Sequence, residues 1–115
     1  MNKKYLIKKN KEYRKIYNEG ISLANRYAVI FTLKNSLGQK RFGFSVSKKI
    51  GKAVERNRVR RRLKEICRKN DEFFLNGYDY ILIARKGIEE LSYNSIQDSV
   101  ENLAYRINKK IAREN

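Results

Sequence analysis

Ten side chains between residues 48 and 64 have the types and spacing to grip phosphate. Lys48, Lys49 and Lys52 fall in a short stretch around Gly51, and Arg56, Asn57, Arg58, Arg60, Arg61, Arg62 and Lys64 follow without a glycine or proline. Lysine supplies a mobile ammonium. Arginine supplies a planar fork of N–H donors that suits bidentate contact with phosphate oxygens. Across residues 40–69, thirteen basic side chains are opposed only by Glu55 and Glu65, so +11 of the chain's +16 net charge lies there. A solvated helix face would alternate its signs, with Glu–Lys pairs at i, i+4. Here like charges stack at that spacing: Arg56 with Arg60, Arg58 with Arg62, Arg60 with Lys64, Lys64 with Arg68. Each such pair costs about 0.2–0.5 kcal/mol unless an anion intervenes. The segment therefore reads as a phosphate-binding helix, and nucleic acid is the expected partner.

Other chemistry is sparse. The 115 residues contain no histidine and a single cysteine, Cys67. That removes Ser-His and Cys-His pairs and His-ligated zinc. One cysteine forms no intrachain disulfide, which fits a reducing, cytoplasmic compartment. Cys67 sits among apolar helical neighbours and reads as an inert core thiol. Asp71, Glu89 and Glu90 show no metal-ligand spacing, so no catalytic residue and no protein-bound metal is assigned. No apolar run approaches the ~18 residues of a spanning helix, so no membrane contact is expected. Residues 1–10 are basic but lack an apolar signal core, and no secretory leader is read there.

The elements that must position the basic segment follow from periodicity. A first helix spans about Lys11 to Glu19, with Asn10 as its cap and Gly20 in a left-handed position after it. Tyr13, Ile16 and Tyr17 give it one aromatic face. Ile21 to Ala24 is a short strand. Tyr27 to Leu33 and Arg41 to Ser47 are two further strands, read as a hairpin around the turn at residues 35–38. The basic helix runs from about Glu55 to Lys69 and carries an apolar stripe of Val59, Leu63, Ile66 and Cys67. Asn57, Arg61, Lys64 and Arg68 lie opposite that stripe, with Arg58, Arg62 and Lys69 on one flank. Tyr78 to Ala84 is nearly continuously apolar and reads as a central strand. Ser92 caps a last helix patterned by Ile96, Val100, Leu103, Ile107 and Ile111. The order α-β-β-β-α-β-α implies an α+β sandwich of helices on one mixed sheet. One domain is expected over residues 1–115, with 1–8 and 113–115 flexible.

RNA is favoured over DNA. Apart from Asn57, the helix offers almost no short polar side chain for base edges, and no helix-turn-helix precedes it. Tyr13, Tyr17, Phe31, Phe42 and Phe44 could stack on unpaired bases, a contact worth about 1–3 kcal/mol per base. For Phe42 and Phe44 a core role is the stronger reading. A structural ribosomal protein is the main rival from another class, and a DNA-binding module is a more distant one.

The stretch from Lys48 to Arg62 resembles the protein subunit of bacterial ribonuclease P. The match rests on Ser45, Ser47, Lys48, Lys49 and Gly51 leading into Arg56-Asn57-Arg58. Asn25-Arg26, Ile83 to Lys86 and Leu91 to Tyr93 also match, and the order of elements agrees over roughly residues 9–110. The resemblance implies a ribosomal-protein-like fold of four strands, with the third and last joined by a left-handed crossover through the basic helix. It implies a protein paired, one to one, with a catalytic RNA subunit that removes the 5′ leader of precursor tRNA. The resemblance also puts hydrolysis on RNA-bound Mg²⁺, with no metal held by the protein. Lys48, Lys49, Lys52, Arg56, Asn57, Arg58, Arg60, Arg61 and Arg62 would then dock the catalytic RNA. Tyr13, Tyr17, Phe31, Ser45, Ser47, Arg61 and Lys64 would line a cleft for the leader. Tyr13 and Tyr17 stand where the family commonly has phenylalanine, Lys64 where arginine is frequent, and Gly87 where proline is usual.

Overall fold

A computed structural model describes residues 1–114. The elements are α1 (Asn10–Glu19), β1 (Ile21–Ala24), β2 (Ala28–Lys34), β3 (Arg41–Ser45), α2 (Ala53–Lys69), β4 (Tyr78–Ala84) and α3 (Tyr93–Glu114). The strands form one sheet in the order β1-β2-β4-β3. β1–β2 and β2–β4 are antiparallel, and β3–β4 is parallel.

This order corrects the expected β2–β3 hairpin. β4 lies between those strands, because its run from Asp79 to Leu82 is buried on both faces and only an interior position covers both. A parallel β3–β4 pair needs a long connection, and the 17-residue α2 provides it. The turn after β2 directs the chain around β4. There Asn35 Nδ2 donates to Asp79 Oδ1 at 2.8 Å and to the Gln39 carbonyl at 3.1 Å.

Each sheet face has its own cover. On one, Ala28, Ile30, Phe42, Tyr80 and Leu82 pack against the stripe of α2 and against Ile96, Val100, Leu103 and Ile107 of α3. Phe42 is enclosed with Phe74 and Tyr80 at ring separations of 4.9 and 6.2 Å, and half-buried Phe44 packs on the same core. Both phenylalanines thus belong to the core side. On the other face, α1 lays Ile16 on Ile81 and Ile7, flanked by Tyr13, Phe31, Leu33 and Ile83.

Helix ends differ from the sequence expectation in three places. Lys9, not Asn10, precedes α1, and no side chain caps it. Gly20 has φ −80°, so it is not left-handed. Its lack of a side chain matters for space instead, since a Cβ there would sit 2.5 Å from the Thr32 carbonyl oxygen. α2 begins two residues before Glu55, whose carboxylate accepts the Lys52 amide at 3.4 Å. The Ser92 cap is present, its hydroxyl accepting the Ser95 amide at 3.2 Å.

The amino-terminal segment makes contacts of its own. Residues 1–8 include a 3-10 turn at Lys3–Tyr5, and Ile7 is buried with its amide donating to the Phe42 carbonyl at 2.8 Å. An apolar Leu6-Ile7 pair beside the free edge of β3 explains why this segment is anchored. At the other end, Arg113 and Glu114 complete α3, whereas Asn115 lies outside the described residues.

Tyr80 ties the layers together. It is fully buried, and its hydroxyl accepts the Leu75 amide at 3.0 Å while donating to Asn108 Oδ1 at 2.9 Å. Asn108 Nδ2 in turn donates to the Phe73 carbonyl at 2.7 Å. Burial pushes the phenol up to about 12, so it keeps its proton at neutral pH. Replacing Tyr80 by phenylalanine strands the Leu75 amide and the Asn108 oxygen. The expected loss is about 1–3 kcal/mol, read by urea unfolding.

Candidate RNA interface

The aromatic cleft is built by one row of the sheet and the helix above it. Phe31, Ile81 and Gly43 are aligned across β2, β4 and β3. Gly43 leaves a gap that the Tyr13 ring fills, since a Cβ there would lie 2.6 Å from the Tyr13 hydroxyl oxygen. Tyr17 stands 6.3 Å from Tyr13 and meets Phe31 nearly edge-on at 5.0 Å and 78°. Tyr17 is 37% exposed, so part of its ring is open to a ligand. The next aligned row is Val29, Ile83 and Ser45, which continues the same face. Val29 and Ile83 were not singled out from the sequence, although Val29 is two residues from Phe31 and shares its face.

Burial raises both tyrosine hydroxyls above their ordinary value. At Tyr13 the Phe44 backbone and the Arg60 charge oppose the rise, and at Tyr17 the Ser45 side chain does. Both rings stay neutral at physiological pH. The same contacts place Ser45 beside Tyr17 and bring the charge of Arg60 to bear on Tyr13. Ser47 is exposed just beyond β3, where it leads into the Lys48–Ile50 turn.

The ten cations and polar groups expected at the interface do not share one environment. Lys48, Lys49 and Lys52 are exposed. Asn57, Arg60, Arg61 and Lys64 line a groove of about 540 Å³ along α2 with Val54, and Arg60 Nη1 donates to Asn57 Oδ1 at 2.9 Å. Arg61 and Lys64 therefore lie along the outer side of α2, and the charge of Arg60 is felt at Tyr13. Arg58 and Arg62 turn inward. Arg58 Nη2 donates to the Glu89 carbonyl and Arg62 Nη1 to the Leu91 carbonyl, each at 3.2 Å. Arg56 and Arg58 also bury Nε. Among the described residues, none of the nine cations from Lys48 to Lys64 forms an ion pair; Glu65 is taken by Arg68 and Lys69.

The carbonyls that hold Arg58 and Arg62 belong to a turn at Ile88–Glu90 and the residue after it. Glu89 is buried there. Its carboxylate accepts the Gly87 amide at 2.7 Å and pairs with Lys86 at 2.8 Å. Burial alone would raise this carboxyl, but Lys86 and the amides more than offset it and the net direction is downward. Gly87 has φ +111°. A proline there could neither reach that angle nor donate the amide, which accounts for glycine at this position. Lys86 Nζ also reaches the Ile50 carbonyl at 3.3 Å, so the turn braces the start of the basic segment.

Cys67 is fully buried, and burial raises its thiol, so it is unreactive. Among the described residues, no three His, Cys, Asp or Glu side chains are grouped to hold a metal ion. No helix there is long and apolar enough to cross a membrane.

Such a site lies on an α+β protein whose basic helix α2 turns to its surface cations that are unpaired among the described residues. The family model described as Ribonuclease P matches residues 1–108. The ribonuclease P protein component of Carboxydothermus hydrogenoformans is 50% identical over 109 residues, covering 93% of this chain and 91% of that protein. The RNase P protein of Staphylococcus aureus superposes with a TM-score of 0.81 at 38% identity, covering 94% of each chain. That of Thermotoga maritima gives a TM-score of 0.81 at 32% identity, covering 87% of this chain and 94% of its own. The chain belongs to the ribonuclease P protein family.

Two outcomes follow from the inward turn of part of α2. Arg58→Ala should lower unfolding stability by about 1–3 kcal/mol, because it leaves the Glu89 carbonyl short of a donor, whereas Arg61→Ala should stay within about 0.5 kcal/mol. Chemical denaturation of both variants checks the contrast. Glu89→Gln should destabilise at neutral pH. Since the folded carboxyl lies below its ordinary 4.5, its contribution is present above that value and is lost as pH falls through the folded one. Unfolding midpoints of variant and parent should therefore converge only once the pH has fallen below the folded carboxyl's own lowered value.

Proposed function

We propose that this protein is the RNA-binding component of a ribonuclease P ribonucleoprotein, assisting removal of the 5′ leader from precursor tRNA. Family membership supports that assignment, and one observation supports the division of labour: an aromatic cleft with an open ring accompanies an α2 whose cations from Arg56 to Lys64 have, among the described residues, no acidic partners. The exposed Lys48, Lys49, Lys52 and Arg61, with Asn57 and Arg60, would neutralise phosphates of the catalytic RNA, one protein per RNA. Arg56, Arg58 and Arg62 would contribute through whatever donors their internal contacts leave free. The leader would cross the cleft, with bases against Tyr17, Tyr13 and Phe31 and with Ser45, Ser47, Arg61 and Lys64 along its path. Favourable stacking needs flat, neutral rings, and burial keeps both phenols in that form.

Catalysis is assigned to the RNA subunit and its bound Mg²⁺. The protein's own work is electrostatic and positional: it lowers repulsion between RNA strands and selects precursor over product by holding the segment that only the precursor has. A cytoplasmic location follows from that role. A purely structural ribosomal role leaves the open aromatic cleft without an occupant, and a duplex-DNA role leaves the helix short of base-reading side chains.

The test compares precursor and mature tRNA binding to the reconstituted holoenzyme. Tyr17→Ala or Phe31→Ala should weaken precursor binding by about 1–3 kcal/mol, one stacked base, and leave mature tRNA unchanged. Equal losses for both ligands would remove the leader from the cleft.

A further inference from the structure

The cleft uses one flank of α1, and the opposite flank has a polar groove of its own. At 100° per residue, Tyr13 and Tyr17 face one side of the helix, Glu12 and Lys15 the other, and Lys11, Arg14 and Asn18 point outward. Lys11, Lys15 and Lys34 border a groove of about 690 Å³ that includes Ile16, Leu33 and Leu37. Leu37 is 53% exposed.

The acids beside this groove are already engaged. Arg41 binds Asp79 through Nε and Nη2 at 2.9 and 2.8 Å, and its Nη1 pairs with Glu12 at 2.9 Å. Lys11, Arg14, Lys15 and Lys34 are exposed, and among the described residues none of them has an ion pair or a side-chain hydrogen bond. Lys11 with Arg14 and Lys11 with Lys15 repeat on α1 the unfavourable like-charge spacing seen on α2. Among the described residues none of the four ties another part of the fold by an ion pair or side-chain hydrogen bond, and a string of phosphates would relieve their repulsion.

Position identifies which phosphates. α1 crosses the sheet face from Gly43 of β3, under Tyr13, to the Thr32 carbonyl of β2, beside Gly20. A strand leaving the cleft past Tyr17 meets the outer face of this helix, where Arg14 and Lys11 stand. The helix is roughly 10–12 Å across with its side chains, so a short crossing brings the strand to Lys15 and Lys34.

We infer that the outer face of α1 and the Lys11–Lys15–Lys34 groove form a second track for single-stranded RNA, holding leader nucleotides farther from the cleavage point than those in the aromatic cleft. This rests on the leader-cleft reading above. The track reads backbone charge, so its contribution grows with leader length and is independent of sequence.

The experiment uses the reconstituted holoenzyme carrying Lys11→Gln, Arg14→Gln, Lys15→Gln and Lys34→Gln together. All four side chains are exposed and free of internal bonds, so the variant should fold; a thermal melt matching the parent verifies it. Binding is measured for mature tRNA, a precursor whose leader ends within the cleft, and one whose leader continues well beyond it. The expected result is a several-fold loss for the long leader alone. Its salt slope should become shallower by about 0.7 for each phosphate contact removed. Unchanged binding of all three ligands, or equal loss for all three, would overturn the second track; the latter would assign the stripe to the catalytic RNA. Tyr17→Ala run in parallel separates the two ideas. If it spares both precursors the cleft assignment fails, whatever the quadruple variant does.

Discussion

The constraint on which the rest depends is that β4 is apolar on both faces. A strand of this kind cannot lie at an edge or face water on either side. It takes the interior of the sheet, forces β3 to reach it in parallel through α2, and requires a cover on each face. α2 and α3 form one cover, and α1 with Ile7 forms the other. The small second cover leaves part of its face open, and the aromatic cleft occupies that opening. The crossover connection is also the arginine-rich helix, so the requirement that buries β4 also fixes where these cations lie on the protein.

The charge on α2 is divided by geometry into two uses. Arg58 and Arg62 fasten the helix to the turn around Glu89, and Lys86 fastens that turn to Ile50 at the start of the basic segment. Arg60, Arg61, Lys64 and the loop lysines stay available. The internal bonds fix the helix so that the outward cations keep one arrangement, which lowers the entropy lost when an extended polyanion settles on them. The Arg41, Asp79 and Glu12 cluster does the same for α1. Two carboxylates hold one guanidinium at the start of β3 and fix the angle at which the helix crosses the sheet.

Much of this was legible in the sequence. The apolar periods of α2 and α3, the all-apolar core of β4 and the concentration of basic residues in 40–69 needed no coordinates, because each is local in the chain. Tyr13 and Tyr17 on one helix face were legible for the same reason. The β2–β3 pairing was misread because a turn between two alternating strands is also what a hairpin shows, and nothing local reveals that a strand 37 residues after Arg41 inserts between them. Anchoring of Leu6-Ile7 was missed for a like reason: a single bridge to Phe42 leaves no periodic trace.

The sequence by itself determined the family, the concentration of positive charge in residues 40–69 and the lack of any histidine. Charge sums over residues wherever they lie, and a missing histidine is missing in any fold. Only the tertiary structure decided which arginines face out, since Arg58 and Arg61 are alike in composition and differ by the distant Glu89 carbonyl that one of them meets. It likewise decided that Tyr13 rests on Gly43 and that Tyr17 meets Phe31. Those contacts form between segments far apart in the chain, and they exist only once β4 has drawn both layers onto the sheet.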